Sequence, residues 1–412
     1  MNKILVVSFF LYIMLVTFFL DFTVDDAFIT YRYSKNFANS YGLVYNKGER
    51  SEGYTNFLMV LICAFFEYLH INIEYSTKIM NIFLGILTIF VLNQLSNKFL
   101  KNSFLPSFFL SITPGFVIWT AGGLETILYI FLMIVSFFLL LCEIEKKKFS
   151  YSSLFFLLLS LTRVEGIIFF LFALIYKSTI KGYYRRYWKK EMLFLIFYCF
   201  YFIFRVFYFG LFFPLTFYVK VNKNLIDNLS YILWFFEDLI LPFIFILFFI
   251  LKRTFNWKLL ILCFFVFFIV FIAWLVGDWM PAYRLFLPSV PFLYILSFYF
   301  LEKVTIRKPF FILILLLTFF FLIYQNYVIH SQIRSYVNVF KTYKSLGKWY
   351  SHNLPLNSTL ALCRIGNIGY YSNMRIIDLV GLTDKNIALN GLTVDYLKKE
   401  NITYLQILSR TP

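Results

Sequence analysis

The stretch Ser160-Leu-Thr-Arg163-Val-Glu165-Gly166-Ile-Ile-Phe-Phe170 decides how this chain is laid out. It lies inside an apolar run, 151–177, long enough for one membrane crossing of about 20 residues. An arginine and a glutamate do not belong at the centre of a bilayer. Read as one crossing, the run sends every later basic loop to the side opposite the earlier ones. Read as two half-height passes, 151–162 and 166–177, it leaves all the basic loops on one side. Irregular backbone at membrane depth is tolerated where protein or water covers it. The second reading therefore predicts a helical hairpin whose tip carries Arg163 and Glu165.

Working outward, apolar runs predict spans at 3–20, 77–96, 103–120, 124–142, 191–211, 229–251, 258–276, 284–301 and 309–328, about eleven with the two halves of the hairpin. Basic residues fall between them at Lys98 and Lys101, 146–148, 177–190, 252–258 and 303–308. Such loops stay in the cytoplasm. Residues 1–20 contain one early lysine and no small-residue cleavage site, so they read as a retained first helix rather than a signal peptide. Residues 56–69 are short for a span, and counting them would invert every later loop; they read as a re-entrant or interfacial helix on the outer side. The same parity places 21–55, 121–125, 214–228, 277–284 and the tail from about His330 outside.

Composition agrees. Hydrophobic residues make up 61% of the 412 and charged residues 14%, against roughly 45–50% apolar in soluble domains. The net charge of +17 resides in short inter-span loops, so it reflects membrane orientation and no nucleic-acid partner. The 58 Phe and 31 Tyr accompany abundant Lys, Asn and Ile, the mark of AT-rich coding, so no single aromatic is read as a sugar platform. Cys63, Cys142, Cys199 and Cys263 lie within apolar runs and Cys363 in the tail, with no CxxC pair. His70, His330 and His352 are isolated, which argues against a histidine metal site.

The tail reads as a small α/β unit, with a helix over 335–349, strands at 359–363, 375–380 and 404–408, and a turn at Gly366 and Gly369. The expected fold class is thus an α-helical polytopic membrane protein with a small C-terminal α/β extracytoplasmic unit. The division is 1–329, with an outer loop 21–76, and 330–412.

Ionisable residues collect at the outer ends of the spans: Asp25, Asp26, Arg32, Glu49, Arg50, Glu52, Glu125, Arg163, Glu165, Lys220, Lys223, Asp278 and Arg284. Each has a plain explanation. Asp26 before Ala27-Phe28-Ile29 is a fair helix cap, Arg163 and Glu165 can pair within a turn, Glu125 suits a first helical turn, and Asp278 and Arg284 can anchor an interface beside Trp279. Their convergence on one side favours a single site. Carboxylates mixed with cations at a lipid surface suit a donor with an anionic head and a long tail, such as a polyprenyl-phosphate sugar. Its leaving phosphate is stabilised by lysine, arginine or a metal ion, and the acceptor hydroxyl needs a general base such as an aspartate. A single displacement inverts the anomeric centre.

Several motifs, in order, carry a resemblance. They are Asp25-Asp26-Ala-Phe-Ile-Thr-Tyr-Arg32-Tyr, Gly42-Leu-Val-Tyr-Asn, Glu52-Gly-Tyr54-Thr-Asn56-Phe-Leu, Gly123-Leu-Glu125-Thr, Leu161-Thr-Arg163-Val-Glu165-Gly, Pro214-Leu-Thr-Phe-Tyr-Val-Lys220 and Gly277-Asp278-Trp-Met-Pro-Ala-Tyr-Arg284. Gly366-Asn-Ile-Gly-Tyr-Tyr and Ile377-Asp-Leu-Val-Gly-Leu-Thr-Asp follow in the tail. Together they resemble the GT-C superfamily of polyprenyl-phosphate-sugar-dependent glycosyltransferases, in particular the bacterial terminal arabinofuranosyltransferase-like branch. The resemblance implies a catalytic aspartate at Asp25 or Asp26, with Asp25 the favoured base. It also implies a donor or acceptor cavity lined by Arg163, Glu165, Lys220, Asp278 and Arg284. Arg32, Glu52, Tyr54, Asn56 and Glu125 join these as substrate-binding candidates. The sequence leaves a metal requirement open; if a divalent cation, Mg or Mn, is used, Asp25 or Asp26 would hold it. The implied reaction moves a sugar to a cell-envelope glycan, lipid or protein at the outer face of the bacterial cytoplasmic membrane. The outer domain is shorter than in arabinosyltransferases, which leaves the donor open between decaprenyl-phosphate arabinose and undecaprenyl-phosphate carrying another sugar. The competing expectations are a transporter or flippase of lipid-linked glycans, whose site belongs at the bilayer midplane on repeated halves, and a non-catalytic glycan-binding scaffold.

Overall fold

The computed structural model describes residues 3–149, 151–180, 182–220, 231, 233, 235, 257–278, 280–303, 307–355 and 357–406. Most of the span expected at 229–251, Lys223 and Trp279 lie outside the described residues, as does the side chain of Lys220.

The apolar runs become helices close to where their composition puts them. They are α1 (Lys3–Thr17), α2 (Asp25–Ala38), α3 (Phe57–Tyr68), α4 (Ile73–Ser96), α5 (Phe104–Ser111), α6 (Pro114–Ala121), α7 (Thr126–Lys146), α8 (Ser152–Thr162), α9 (Gly166–Ser178), α10 (Tyr183–Phe209), α11 (Leu215–Lys220), α12 (Trp257–Val276), α13 (Val290–Lys303) and α14 (Lys308–Asn353). The described residues include five helices long and apolar enough to cross a membrane, or six when α5 and α6, bent by 57°, are one broken span. The chain is a multi-pass membrane protein. Pro114 starts α6; a proline fits the first turn, where its missing N–H leaves no ladder bond broken, but not the middle of a helix.

The hairpin expected at 162–166 is present, with α8 and α9 packed on each other. Arg163 takes an extended conformation that ends α8. Gly166 begins α9 against the last turn of α8, where a Cβ would stand 2.6 Å from the Leu159 carbonyl oxygen. No side chain fits that approach.

One apolar core runs through the bundle, with Trp119, Tyr12, Phe116, Phe137 and Phe156 fully enclosed. A second joins α2 and loop 43–54 to the C-terminal unit through Tyr33, Tyr45, Tyr54, Leu360, Ile368 and Ile376. That unit has strands β1 (Thr359–Leu362), β2 (Arg375–Asp378) and β3 (Tyr404–Leu405), with α15 (Gly366–Ser372) between the first two. Helices α16 (Lys385–Asn390) and α17 (Val394–Lys399) precede β3. The sheet is parallel, ordered β2-β1-β3, with Thr359 opposite Arg375 and Leu360 opposite Tyr404. The boundary expected at 329/330 falls inside α14, a continuous 46-residue helix. Residues 330–353 are polar enough to read as a soluble segment, but contain no proline and only one glycine, so nothing breaks the helix.

Helix α7 gives the molecule its two ends. Glu125 immediately precedes it, facing the C-terminal unit's side; Glu143 and Glu145 lie in its last turn. At that far end Lys177 is buried between Glu143 at 2.7 Å and Glu191 at 3.0 Å, and Lys98 and Lys258 pair with Glu145. Lys98, Lys177 and Lys258, from three of the basic loops, thus share one end.

Candidate active site

The site is assembled around the first turn of α2. The helix starts after Val24, an extended residue without a side-chain cap, so both aspartates lie inside the first turn and neither caps it. Val24 N–H donates to the Gly122 carbonyl and the Tyr31 hydroxyl donates to that of Gly123, which fixes α2 beside the start of α7.

Consecutive helical residues point about 100° apart, and the two aspartates meet different surroundings. Asp25 is buried in the C-terminal unit. Its Oδ2 accepts from Gly366 N–H at 3.1 Å, and its Oδ1 from Asn367 N–H at 2.7 Å and Asn367 Nδ2 at 3.0 Å. Asp26 is half-buried and lies within electrostatic reach of Arg284. The geometry thus runs against Asp25, favoured on sequence as the base: both its oxygens are occupied by N–H donors.

Glu125 is the buried hub of the neighbouring cluster. Its Oε1 is 2.8 Å from Arg163 Nη1, and its Oε2 accepts from Asn56 Nδ2 at 2.8 Å. Asn56 in turn donates to Thr30 on α2. Burial pushes the Glu125 carboxyl up, but Arg163, Arg284 and Asn56 together outweigh it and hold the group below the ordinary carboxylate range. Arg163 also pairs with Glu165 and lies over the Tyr129 ring. Arg284 binds Asp278 at 2.9 Å and lies over the Trp119 ring, its centre 5.6 Å away. Burial opposes its charge, while Asp278, Glu125 and Asp26 keep the guanidinium above its usual range. Two consecutive non-glycine residues before it, Ala282 and Tyr283, have φ of 56° and 39°. Such left-handed backbone is strained, and here it forms the turn that presents Arg284.

Between the arginines lies a narrow cleft. Arg163, Glu165, Tyr129 and Arg284 form its polar head. Ile269, Ile272, Ala273 and Val276 from α12, with Phe169 from α9, form its apolar wall.

The structure gathers Asp26, Asn56, Glu125, Arg163, Glu165, Asp278 and Arg284, and places Arg32, Glu52 and Tyr54 elsewhere. Arg32 is buried, donating to the carbonyls of Tyr45, Gly369 and Met374 and to the Asn46 side chain. Tyr54 packs on Tyr33 and Phe209. Glu52 pairs at 2.8 Å with Arg205 of α10, a buried partner that the sequence reading passed over; its one signal is an arginine within an apolar span. Burial pushes the Glu52 carboxyl up to about 7 despite that arginine. Among the described residues no three His, Cys, Asp or Glu side chains gather as a metal site.

Residues 327–411 match a family described as a domain of unknown function (DUF8728). Among curated proteins none matches the chain. The solved structures include two similar ones, both of ArnT from Cupriavidus metallidurans. The one bound to undecaprenyl phosphate aligns over 98% of this chain and 88% of its own, with 11% identity and a TM-score of 0.64. The apo one aligns over 96% and 90%, with 12% identity and a TM-score of 0.64. At such identity the likeness speaks for architecture: the chain has the ArnT-like GT-C membrane fold, completed by a small parallel sheet at its C-terminal end.

Proposed function

We propose that this protein is an inverting glycosyltransferase. It would move a sugar from a polyprenyl-phosphate donor to a cell-envelope glycan, lipid or protein acceptor at the outer face of the bacterial cytoplasmic membrane. One observation carries the reading: two arginines, the buried Arg284 and the partly buried Arg163, head a cleft whose other wall is the apolar face of a membrane helix. That slot suits an anionic head on a long hydrocarbon tail. The ArnT structure solved with undecaprenyl phosphate supports the same ligand class. The order of the sequence motifs supports the arabinofuranosyltransferase-like branch, and the gathering of lysines from three basic loops at the far end supports an outer-face site.

In this reading Asp26 is the general base. It takes the acceptor hydroxyl's proton as that oxygen bonds to the anomeric carbon. The bond from that carbon to the phosphate oxygen breaks, and the polyprenyl phosphate leaves with its electron pair. Arg163 and Arg284 stabilise the growing phosphate charge, so no acid is needed. Glu125 holds Arg163, and Asp278 holds Arg284.

The test is transfer of radiolabelled sugar from polyprenyl phosphate by purified enzyme in detergent. Asp26→Asn should fold normally and lose about 10²–10⁴ in rate, the usual cost of a missing general base. Near-native turnover in Asp26→Asn would falsify the assignment. A glycan flippase would instead move lipid-linked sugar across vesicles with no change in its anomeric bond.

A further inference from the structure

The C-terminal unit has no part in the chemistry above, yet it grips the helix that carries Asp26. We propose that this unit positions the transfer site, with Asp25 as the anchor through which it fixes the neighbouring Asp26. The inference rests on the transferase reading.

Two attachments define the grip. Asp25 takes three hydrogen bonds from Gly366 and Asn367, where α15 begins. Arg32 donates to the carbonyls of Gly369 in α15 and Met374 just before β2. Residues seven apart lie on one helical face and about 10 Å apart along the axis. The unit therefore holds one face of α2 at two points and fixes its rotation. The approach is close: a Cβ on Gly366 would stand 1.8 Å from the Asp25 carbonyl oxygen. The unit is itself braced on the bundle, since Lys344 of α14 pairs with Glu74 of α4 at 2.8 Å and Tyr371 donates to the same carboxylate.

Rotation matters for Asp26. Side-chain tips ride about 5–6 Å from a helix axis, so a turn of about 10° moves a carboxylate by about 1 Å. A displacement of that size can cost about 10² in rate. Asp25 is thus a positioning residue, and the group that reacts is its neighbour.

The decisive experiment exchanges the two side chains. In Asp25→Asn the new amide points an N–H at donors and the charge is gone. Adding Asn367→Asp restores the one side-chain donor–acceptor pair with its sense reversed, while the two backbone N–H donors stay in place. We expect Asp25→Asn to lower kcat about 10- to 100-fold with the donor KM within about twofold and the acid limb of the pH–rate profile unmoved. The double variant should recover part of kcat. Docking is read without turnover from alkylation of Cys363, half-buried just ahead of α15, in a Cys199→Ser background. Asp25→Asn should speed that reaction and the double variant slow it again. Unchanged kcat in Asp25→Asn despite faster labelling would reduce Asp25 to fold stability alone. Abolished transfer in both variants would make Asp25 itself the base. Alkylation responding as expected, while wild type transfers no sugar from any polyprenyl phosphate, would keep the anchor and overturn the transferase reading.

Discussion

Replacing Arg163 with methionine separates the two duties this side chain has in the cleft. Its Nη1 is 2.8 Å from Glu125, whose side chain is 4% exposed, while its Nε meets Glu165, 22% exposed. Removing the guanidinium leaves Glu125 with only Asn56 as a near hydrogen-bond donor among the contacts described above. A buried charge stripped of its partner costs about 3–5 kcal/mol. Glu165→Gln breaks the more exposed half of the arrangement, which costs about 0–1 kcal/mol. Thermal unfolding in detergent should therefore show a large drop in Tm for Arg163→Met and almost none for Glu165→Gln. The double variant Arg163→Met/Glu125→Gln removes the stranded charge while the amide oxygen still accepts from Asn56, so most of the Tm should return. Activity should not return with it. Loss of one charge-assisted contact to the donor phosphate, about 1.5–3 kcal/mol, raises the donor KM about 10- to 150-fold, at 1.4 kcal/mol per tenfold. Equal Tm values for Arg163→Met and Glu165→Gln would refute the buried pair. A wild-type donor KM in the double variant would remove Arg163 from the phosphate site.

Three more outcomes follow from the same geometry. Arg205→Leu removes the cation opposing the burial of Glu52, so that carboxyl rises further above about 7; the variant's native state then holds an extra proton above neutrality, and its destabilisation grows by about 1.4 kcal/mol per pH unit. The Tm gap to wild type should widen from pH 6.5 to 8.5, and a constant gap would show the two groups uncoupled. In intact cells an impermeant thiol reagent should label cysteines placed in α16 and spare those placed in 182–190; labelling of both sinks the outer-face assignment and the parity behind it. With two guanidiniums at the cleft head, turnover in excess EDTA should stay within about twofold of that with Mg or Mn, and a loss above tenfold restored by Mg would put a cation at Asp26.

Span positions were legible because length and apolarity are local properties. The hairpin at Thr162–Gly166 followed from charge parity, which sums many loops and tolerates errors in any one. The two aspartates were inseparable on sequence, since their difference is 100° of helix rotation and the partner of Asp25 lies 341 residues away. Arg205 was hidden by the aromatic run around it. Lys177 read as the first residue of a basic loop, whereas it is buried between Glu143 and Glu191; nothing local announces two carboxylates contributed by other helices. The length of α14 escaped because a change from apolar to polar composition looks like a domain boundary, while a helix ends only where caps or breakers end it.

The bond between Asp25 and Gly366 also sets a schedule. At about 5–20 residues per second of synthesis, the 341 residues between them take roughly 20–70 s to emerge. Through that interval the first turn of α2 has left the ribosome with its carboxylate and the Arg32 guanidinium lacking their native partners from the C-terminal unit. The earliest extramembrane segment to be made is therefore among the last to become native. A nascent chain halted before α15 would hold most of its membrane helices and still lack the contact that seats its reacting carboxylate.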